Sequence, residues 1–173
     1  MATPLQQELV EGNGRYASNF EDGSLPLPPS KKQIIVTCMD SRIDVGRAFG
    51  VSLGSTHIIR NAGGSAKEAL RSIIISQQLL GTEEILIIKH TGCGMLTFNN
   101  EKGYDVVSKN LSESAGKRLR DEKFDFLTYK DTDEAVREEV EWLRKEEAVK
   151  KLGDDRVSGW VYDVTTGKVR KVL

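Results

Sequence analysis

The sequence predicts an α/β fold in which a mainly parallel sheet is flanked by helices. Three short runs are mostly apolar without alternation, at residues 34–38, 57–60 and 85–90. Continuous apolarity is typical of strands that are covered on both faces, as in a parallel sheet. Between the second and third runs, residues 67–80 carry apolar side chains at helical spacing, which gives the strand, helix, strand order of a parallel crossover.

Length and charge limit the class of protein. The chain has 173 residues, 38% hydrophobic and 29% charged, with a formal net charge of -1. These values are typical of one globular domain and do not indicate a nucleic-acid partner. No apolar run reaches the roughly 18 residues of a membrane span, and the first residues are too polar for a signal peptide. We therefore expect a cytoplasmic protein with no membrane partner.

The N-terminal part is predicted to lie outside the main body. Residues 5–20 have the pattern of an amphipathic helix, weakened by Gly12 and Gly14. Residues 24–30 contain three prolines, which remove backbone donors and favour an extended linker. We therefore divide the chain into residues 1–31, a helical arm with a Pro-rich linker, and residues 32–173, a single α/β domain.

Further elements are predicted after the third strand. Residues 104–119 have helical spacing, and residues 124–129 form a possible strand. Residues 131–152 are predicted as a helix with Asp131 as its N-cap. The tail, residues 159–173, alternates polar and apolar side chains around a Thr-Thr-Gly sequence, which predicts a terminal hairpin.

The candidate site follows the ends of two predicted strands. The chain has two cysteines and two histidines, and three of the four are Cys38, His90 and Cys93. In a parallel sheet, ligands bind at the carboxyl ends of strands, where these residues are expected. Two thiolates and an imidazole suit zinc, and a three-ligand zinc site leaves a position open for catalysis. The alternative is that the two cysteines are simply buried apolar residues.

Asp40 and Arg42 decide how open such a site would be. Asp40 lies two residues after Cys38 and could fill the fourth position, which would give a closed and non-catalytic zinc-stabilised scaffold. A bidentate bond from Arg42 could instead hold the carboxylate away from the metal. The alternative for both residues is an ordinary surface pair.

Two other features receive structural interpretations. His57 is at the start of a predicted strand, at the opposite edge of the sheet, and is expected to be structural or solvated. Residues 61–64, Asn-Ala-Gly-Gly, connect a strand to a helix. They lack the known phosphate-loop patterns, so a tight turn beside the metal crevice is favoured over nucleotide binding.

Three motifs stand out, Cys38-Met-Asp40-Ser-Arg42, Arg60-Asn61-Ala62-Gly63 and His90-Thr-Gly-Cys93-Gly94. Together they resemble those of the β-class carbonic anhydrases. The short length and the continuation Gly94-Met-Leu-Thr-Phe98 are similar to the compact archaeal-like branch. The resemblance implies a four-stranded, mainly parallel sheet with an antiparallel edge strand, one zinc ion per chain, and assembly into homodimers or homotetramers through N-terminal helices. It also implies that Cys38, His90 and Cys93 are zinc ligands, with Asp40 and Arg42 as a catalytic pair beside the metal.

The resemblance also implies the activity. We expect zinc-dependent hydration of carbon dioxide to bicarbonate, with carbonyl sulfide hydrolysis as the alternative, because the same branch includes hydrolases of carbonyl sulfide and carbon disulfide. The substrate, a small linear molecule, is expected to lie beside Ala62, Gly63, Gly92 and Gly94. Many relatives carry Asp where this chain has Gly92, so substrate preference or proton release is expected to depend on that position.

Overall fold

A computed structural model describes residues 2–150 and 153–173 and confirms the predicted α/β architecture. Five strands form one sheet in the order β2-β1-β3-β4-β5. The first four are mutually parallel, and β5 is an antiparallel edge strand that forms the predicted hairpin with β4. The strands are β1 (Gln33–Cys38), β2 (Thr56–Asn61), β3 (Glu84–His90), β4 (Val157–Tyr162) and β5 (Val169–Lys171).

Two apolar clusters cover the two faces of the sheet. Helices α3 and α6 pack on one face, where Ile73 and Val140 are buried against Ile34 and Ile87. The cluster on the other face contains Cys38 and Cys93 together with Ile35, Ile88 and Met95. The two thiols therefore belong to the apolar core of one face. The helices are α1 (Pro4–Ala17), α2 (Val45–Ala48), α3 (Ala66–Leu80), α4 (Asn100–Asn110), α5 (Glu113–Asp121) and α6 (Thr132–Lys145).

Helix α1 is the predicted N-terminal helix. Thr3 caps it by accepting a hydrogen bond from the Gln6 N–H, in a complete capping box. None of its residues is buried, and its apolar side chains Leu5 and Leu9 are 76% and 71% exposed. Among the described residues, no helix is long and apolar enough to span a membrane.

The helix predicted at residues 104–119 is in fact two helices. Helix α4 ends at Asn110, and Ser112 begins α5 by accepting a hydrogen bond from the Ala115 N–H. Gly116 lets the two helices pack closely, because an added Cβ would lie 1.9 Å from Ser108 Oγ. The serine cap and the glycine contact together favour a sharp turn over a continuous helix.

The prediction of a strand at residues 124–129 is wrong, because these residues form no strand in the structure. Side chains bond two of their backbone groups, since the Tyr104 hydroxyl donates to the Phe124 carbonyl and the Phe126 N–H donates to Asn100 Oδ1. Leu127 has a φ of 55°, which is incompatible with a strand.

The helix predicted at residues 131–152 begins where expected, because Asp131 accepts a hydrogen bond from the Glu134 N–H. It ends earlier, at Lys145, where Glu146 turns to an extended conformation. Leaving the helix there allows Val149 to enter the core. The last two residues of the predicted range, 151 and 152, lie outside the described residues.

Candidate metal centre

Parallel pairing brings the two predicted ligand segments together. Strands β1 and β3 are neighbours with Thr37 opposite Ile88, so Cys38 and His90 lie at adjacent carboxyl ends. Cys93 follows on a turn in which Gly92 has a φ of +62°, a conformation that favours glycine. Cys38, His90 and Cys93 are all buried, and their ligand atoms lie within 4.8 Å of one another. The structure therefore brings all three predicted ligands to one point.

The donor set fits a zinc ion. The two sulfur atoms are 4.0 Å apart, close to the ~3.8 Å expected for two thiolates 2.3 Å from a tetrahedral zinc. The His90 Nδ1–H donates to the Thr91 carbonyl at 3.0 Å, which leaves the Nε2 lone pair free. Nε2 is buried and has no hydrogen-bond partner among the described residues. A buried acceptor without a partner is costly, and a metal ion would remove that cost.

The two thiols differ in pKa because they share a proton. A hydrogen bond from Cys38 lowers the pKa of Cys93 to about 6. The same hydrogen bond raises the pKa of Cys38 to about 11. The pair thus holds one negative charge readily and a second only with difficulty. A divalent cation would stabilise both thiolates in place of the shared proton.

Asp40 is held by Arg42 at the rim of this site. The Arg42 Nε donates to Asp40 Oδ1 at 2.9 Å and its Nη2 to Oδ2 at 2.6 Å, and the Arg42 backbone N–H also donates to Oδ1. These bonds hold the pKa of Asp40 well below its usual range, and the side-chain bonds have a larger effect than the backbone one. Arg42 Nη2 also donates to the Gly92 carbonyl at 3.1 Å. Arg42 therefore connects Asp40 to the turn that carries Cys93.

Arg60 has a role that sequence reasoning did not assign. Its Nε donates to the Cys38 carbonyl at 3.0 Å and its Nη2 to the Asp40 carbonyl at 2.7 Å. The guanidinium thus holds the backbone on both sides of Met39. Arg60 belongs to one of the family-like motifs, but spacing alone does not reveal that it binds a segment 20 residues away.

The glycine-containing turn lies against the ligands, as the tight-turn interpretation predicted. The Asn61 side chain closes the turn by bonding both the N–H and the carbonyl of Ser65. Gly64 has a φ of +61°, and an added Cβ would lie 3.1 Å from the Cys38 backbone nitrogen. Of the predicted pocket residues in this turn, Ala62 is half-buried and Gly63 is buried.

Gly92 and Gly94, the other two predicted pocket residues, are exposed on either side of Cys93. A Cβ added at either position would meet no atom within 4 Å. His57 is far from this group in the sheet, at the start of β2, where Nδ1 lies 2.6 Å from Ser76 Oγ. That contact agrees with the structural role expected for it.

Comparison with known proteins identifies the family. A model of the carbonic anhydrase family matches residues 33–169, which include all three ligand candidates and Asp40. The chain belongs to the β-carbonic anhydrase family.

Relatives in this β-carbonic anhydrase family cover the whole fold. The chain is 40% identical over 169 residues to Beta-carbonic anhydrase 1 of Mycobacterium tuberculosis, covering 97% of this chain and 98% of the relative. It is 33% identical over 184 residues to a carbon disulfide hydrolase of Acidithiobacillus thiooxidans, covering 96% and 89%. The solved carbonic anhydrase from Glaciozyma antarctica is 40% identical with a TM-score of 0.90, covering 99% of this chain and 100% of that structure.

We predict that substitution of a ligand removes zinc. Cys93→Ser and His90→Gln should each lose most bound zinc, because each leaves two protein ligands on a three-ligand site. His57→Gln is the matched control, since it changes the other histidine of the chain, which lies away from the three candidate ligands. Zinc per folded chain, measured by elemental analysis, checks the assignment. Full zinc content in Cys93→Ser would exclude that residue as a ligand.

Proposed function

We propose that this chain is a zinc-dependent carbonic anhydrase that hydrates carbon dioxide to bicarbonate. Cys38, His90 and Cys93 would hold one zinc ion per chain, and Asp40 and Arg42 would be the catalytic pair. The proposal depends on one observation: three donors converge while the carboxylate of Asp40, beside them, is held by Arg42. The family and the 40% identical β-carbonic anhydrase support it.

The position of Asp40 supports a catalytic site over a scaffold. Asp40 Oδ2 is 3.7 Å from His90 Nε2, and Arg42 bonds both carboxylate oxygens. Taking Asp40 as a fourth ligand would break or distort charge-assisted bonds. Three protein ligands with one open position is the arrangement of catalytic zinc.

The residues of the chain would supply orientation and charge. When bound, zinc lowers the pKa of water from 15.7 toward about 7, a value established for carbonic anhydrase zinc held by histidines. Asp40 Oδ1 receives two hydrogen bonds from Arg42, whereas Oδ2 receives one. Oδ2 therefore keeps an acceptor position facing His90, where it would accept the O–H of the attacking nucleophile. Ala62, Gly63, Gly92 and Gly94 would border the small linear substrate.

Carbonyl sulfide or carbon disulfide hydrolysis is the second candidate. The 33% identical relative is a carbon disulfide hydrolase, so the family includes proteins that act on sulfur-containing substrates. We favour carbon dioxide as the substrate because the β-carbonic anhydrase relative has the higher sequence identity, 40%. Its alignment also covers 97% of this chain and 98% of the relative.

A homodimer or homotetramer and a cytoplasmic location remain predictions. The exposed apolar side chains of α1, including Leu5, Leu9 and Val10, favour packing against a partner subunit. Light scattering of the protein lacking residues 2–20 would show a smaller or weaker oligomer if α1 holds the subunits together.

We predict that zinc-loaded protein hydrates carbon dioxide faster than it hydrolyses sulfur substrates. Stopped-flow hydration and hydrogen sulfide release, with carbonyl sulfide and with carbon disulfide, should be measured on the same sample. If hydrogen sulfide release is faster than carbon dioxide hydration, the protein is a hydrolase of sulfur substrates instead. Bound zinc without any of these activities would leave the non-catalytic scaffold.

Asp40→Asn should keep the fold and the zinc but lose turnover by about 10²- to 10³-fold, the range for loss of one preorganised hydrogen-bonding group in an active site. Asp105→Asn is the matched control, because that exposed carboxylate also pairs with an arginine, Arg120. Stopped-flow rates with zinc content on each protein check the expectation. Unchanged turnover in Asp40→Asn would remove Asp40 from the mechanism.

Gly92→Asp should raise carbon dioxide hydration in weak buffer, because a carboxylate at the rim would order water and accept protons. Gly92→Asn controls for strain, since φ is +62° and both side chains tolerate that conformation about equally. A Cβ added at Gly92 would meet no atom within 4 Å. Equal rates in the two variants would exclude an effect of charge at position 92.

A further inference from the structure

Lys89, the residue before His90, is a buried cation beside the metal centre. It is 1% exposed. Its ammonium donates to the Gly63 carbonyl at 2.9 Å, lies 3.5 Å from Glu139 Oε1 and lies 4.7 Å from the Tyr129 ring centroid. Burying an ammonium costs several kcal/mol unless it is paired and hydrogen-bonded. We refer to Lys89, Glu139 and Tyr129 as the Lys89 cluster.

The Lys89 cluster connects three elements around one turn. Lys89 is on β3 and Glu139 is on α6. Glu139 Oε2 also accepts a hydrogen bond at 2.7 Å from the N–H of Ala66, the first residue of α3. The turn at Gly63 and Gly64 is therefore held from one side by the Lys89 ammonium and from the other by the carboxylate at the start of α3.

This turn packs against residues next to both sulfur ligands in the chain. A Cβ on Gly64 would lie 2.9 Å from the Thr37 carbonyl carbon, immediately before Cys38. A Cβ on Gly63 would lie 2.8 Å from Cγ of Met95, two residues after Cys93. Both glycines have positive φ, so the turn has a shape that other residues rarely adopt. A shift of the turn would therefore displace the segments that carry both thiolates.

We propose that Lys89 is a positioning residue, whose buried ammonium fixes the Gly63 carbonyl and thereby holds Cys38 and Cys93 at the separation that zinc requires. This inference rests on the proposed zinc site. Lys89 does not contact the metal in this scheme; it acts through the turn.

Zinc affinity of the metal-free protein tests the proposal without relying on activity. Competition with a chromophoric chelator gives the zinc Kd, and circular dichroism gives the folded fraction. Lys89→Met removes the donor to Gly63 but leaves Glu139 unpaired. Lys89→Met with Glu139→Gln removes both charges, and the amide oxygen can still accept from the Ala66 N–H. Lys117→Met is the control, because it removes a lysine from an exposed ion pair with Asp121.

We expect the double variant to fold and to bind zinc about 10- to 100-fold more weakly than wild type, the range for loss of a residue that orients metal ligands. Lys117→Met should bind zinc as wild type does. Wild-type zinc affinity in the folded double variant would overturn the positioning role. A wild-type protein that binds no zinc would instead refute the proposed metal centre itself.

Amide hydrogen exchange on wild type decides the matter if the variants do not fold. Zinc should slow exchange at Gly63 and Gly64, because the turn and the two thiolate segments are proposed to be held as one unit. Exchange at these amides that does not change with zinc would overturn the inference.

Discussion

The parallel pairing of β1 with β3 is the constraint on which the candidate site depends. Because both strands run in the same direction and pair with Thr37 opposite Ile88, the residues that follow them emerge side by side. A one-residue slip of either strand would turn its buried side chains to the other face and separate Cys38 from His90. The apolar side chains on both faces fix the register, so the hydrophobic core also sets the geometry of the ligands.

The sequence was sufficient to predict the positions of those site residues that directly follow the ends of strands. Cys38, His90 and Cys93 could be predicted to meet because parallel strands end at one edge, and the structure places them together. Arg60 and Lys89 could not be assigned their roles in this way. Their partners are 20 to 50 residues away and are mostly backbone carbonyls or acidic side chains on other elements. No spacing pattern identifies a carbonyl as the acceptor of a particular cation.

The same limit explains the errors in the second half of the chain. Residues 124–129 contain enough aromatic side chains to resemble a strand, but Tyr104 and Asn100 bond their backbone groups. The break between α4 and α5 depends on a serine cap and on the close contact at Gly116. In both cases a contact with another element overrides the local preference for a strand or a continuous helix. In the core strands, by contrast, the local sequence pattern and the burial of the side chains favour the same structure.

Among the described residues, three cationic side chains lie beside the candidate metal centre, and each donates to a backbone carbonyl near a candidate ligand. Arg42 binds the Gly92 carbonyl, Arg60 binds those of Cys38 and Asp40, and Lys89 binds that of Gly63. In the proposed zinc site two thiolates would carry two negative charges, and positive charge nearby would stabilise that ionised state as well as fix the backbone. Asp40 and Glu139 pair with two of these cations and limit the excess of positive charge. These charge-assisted bonds therefore fix the backbone of the candidate centre, and in the proposed zinc site they would position the ligands without occupying the fourth coordination position.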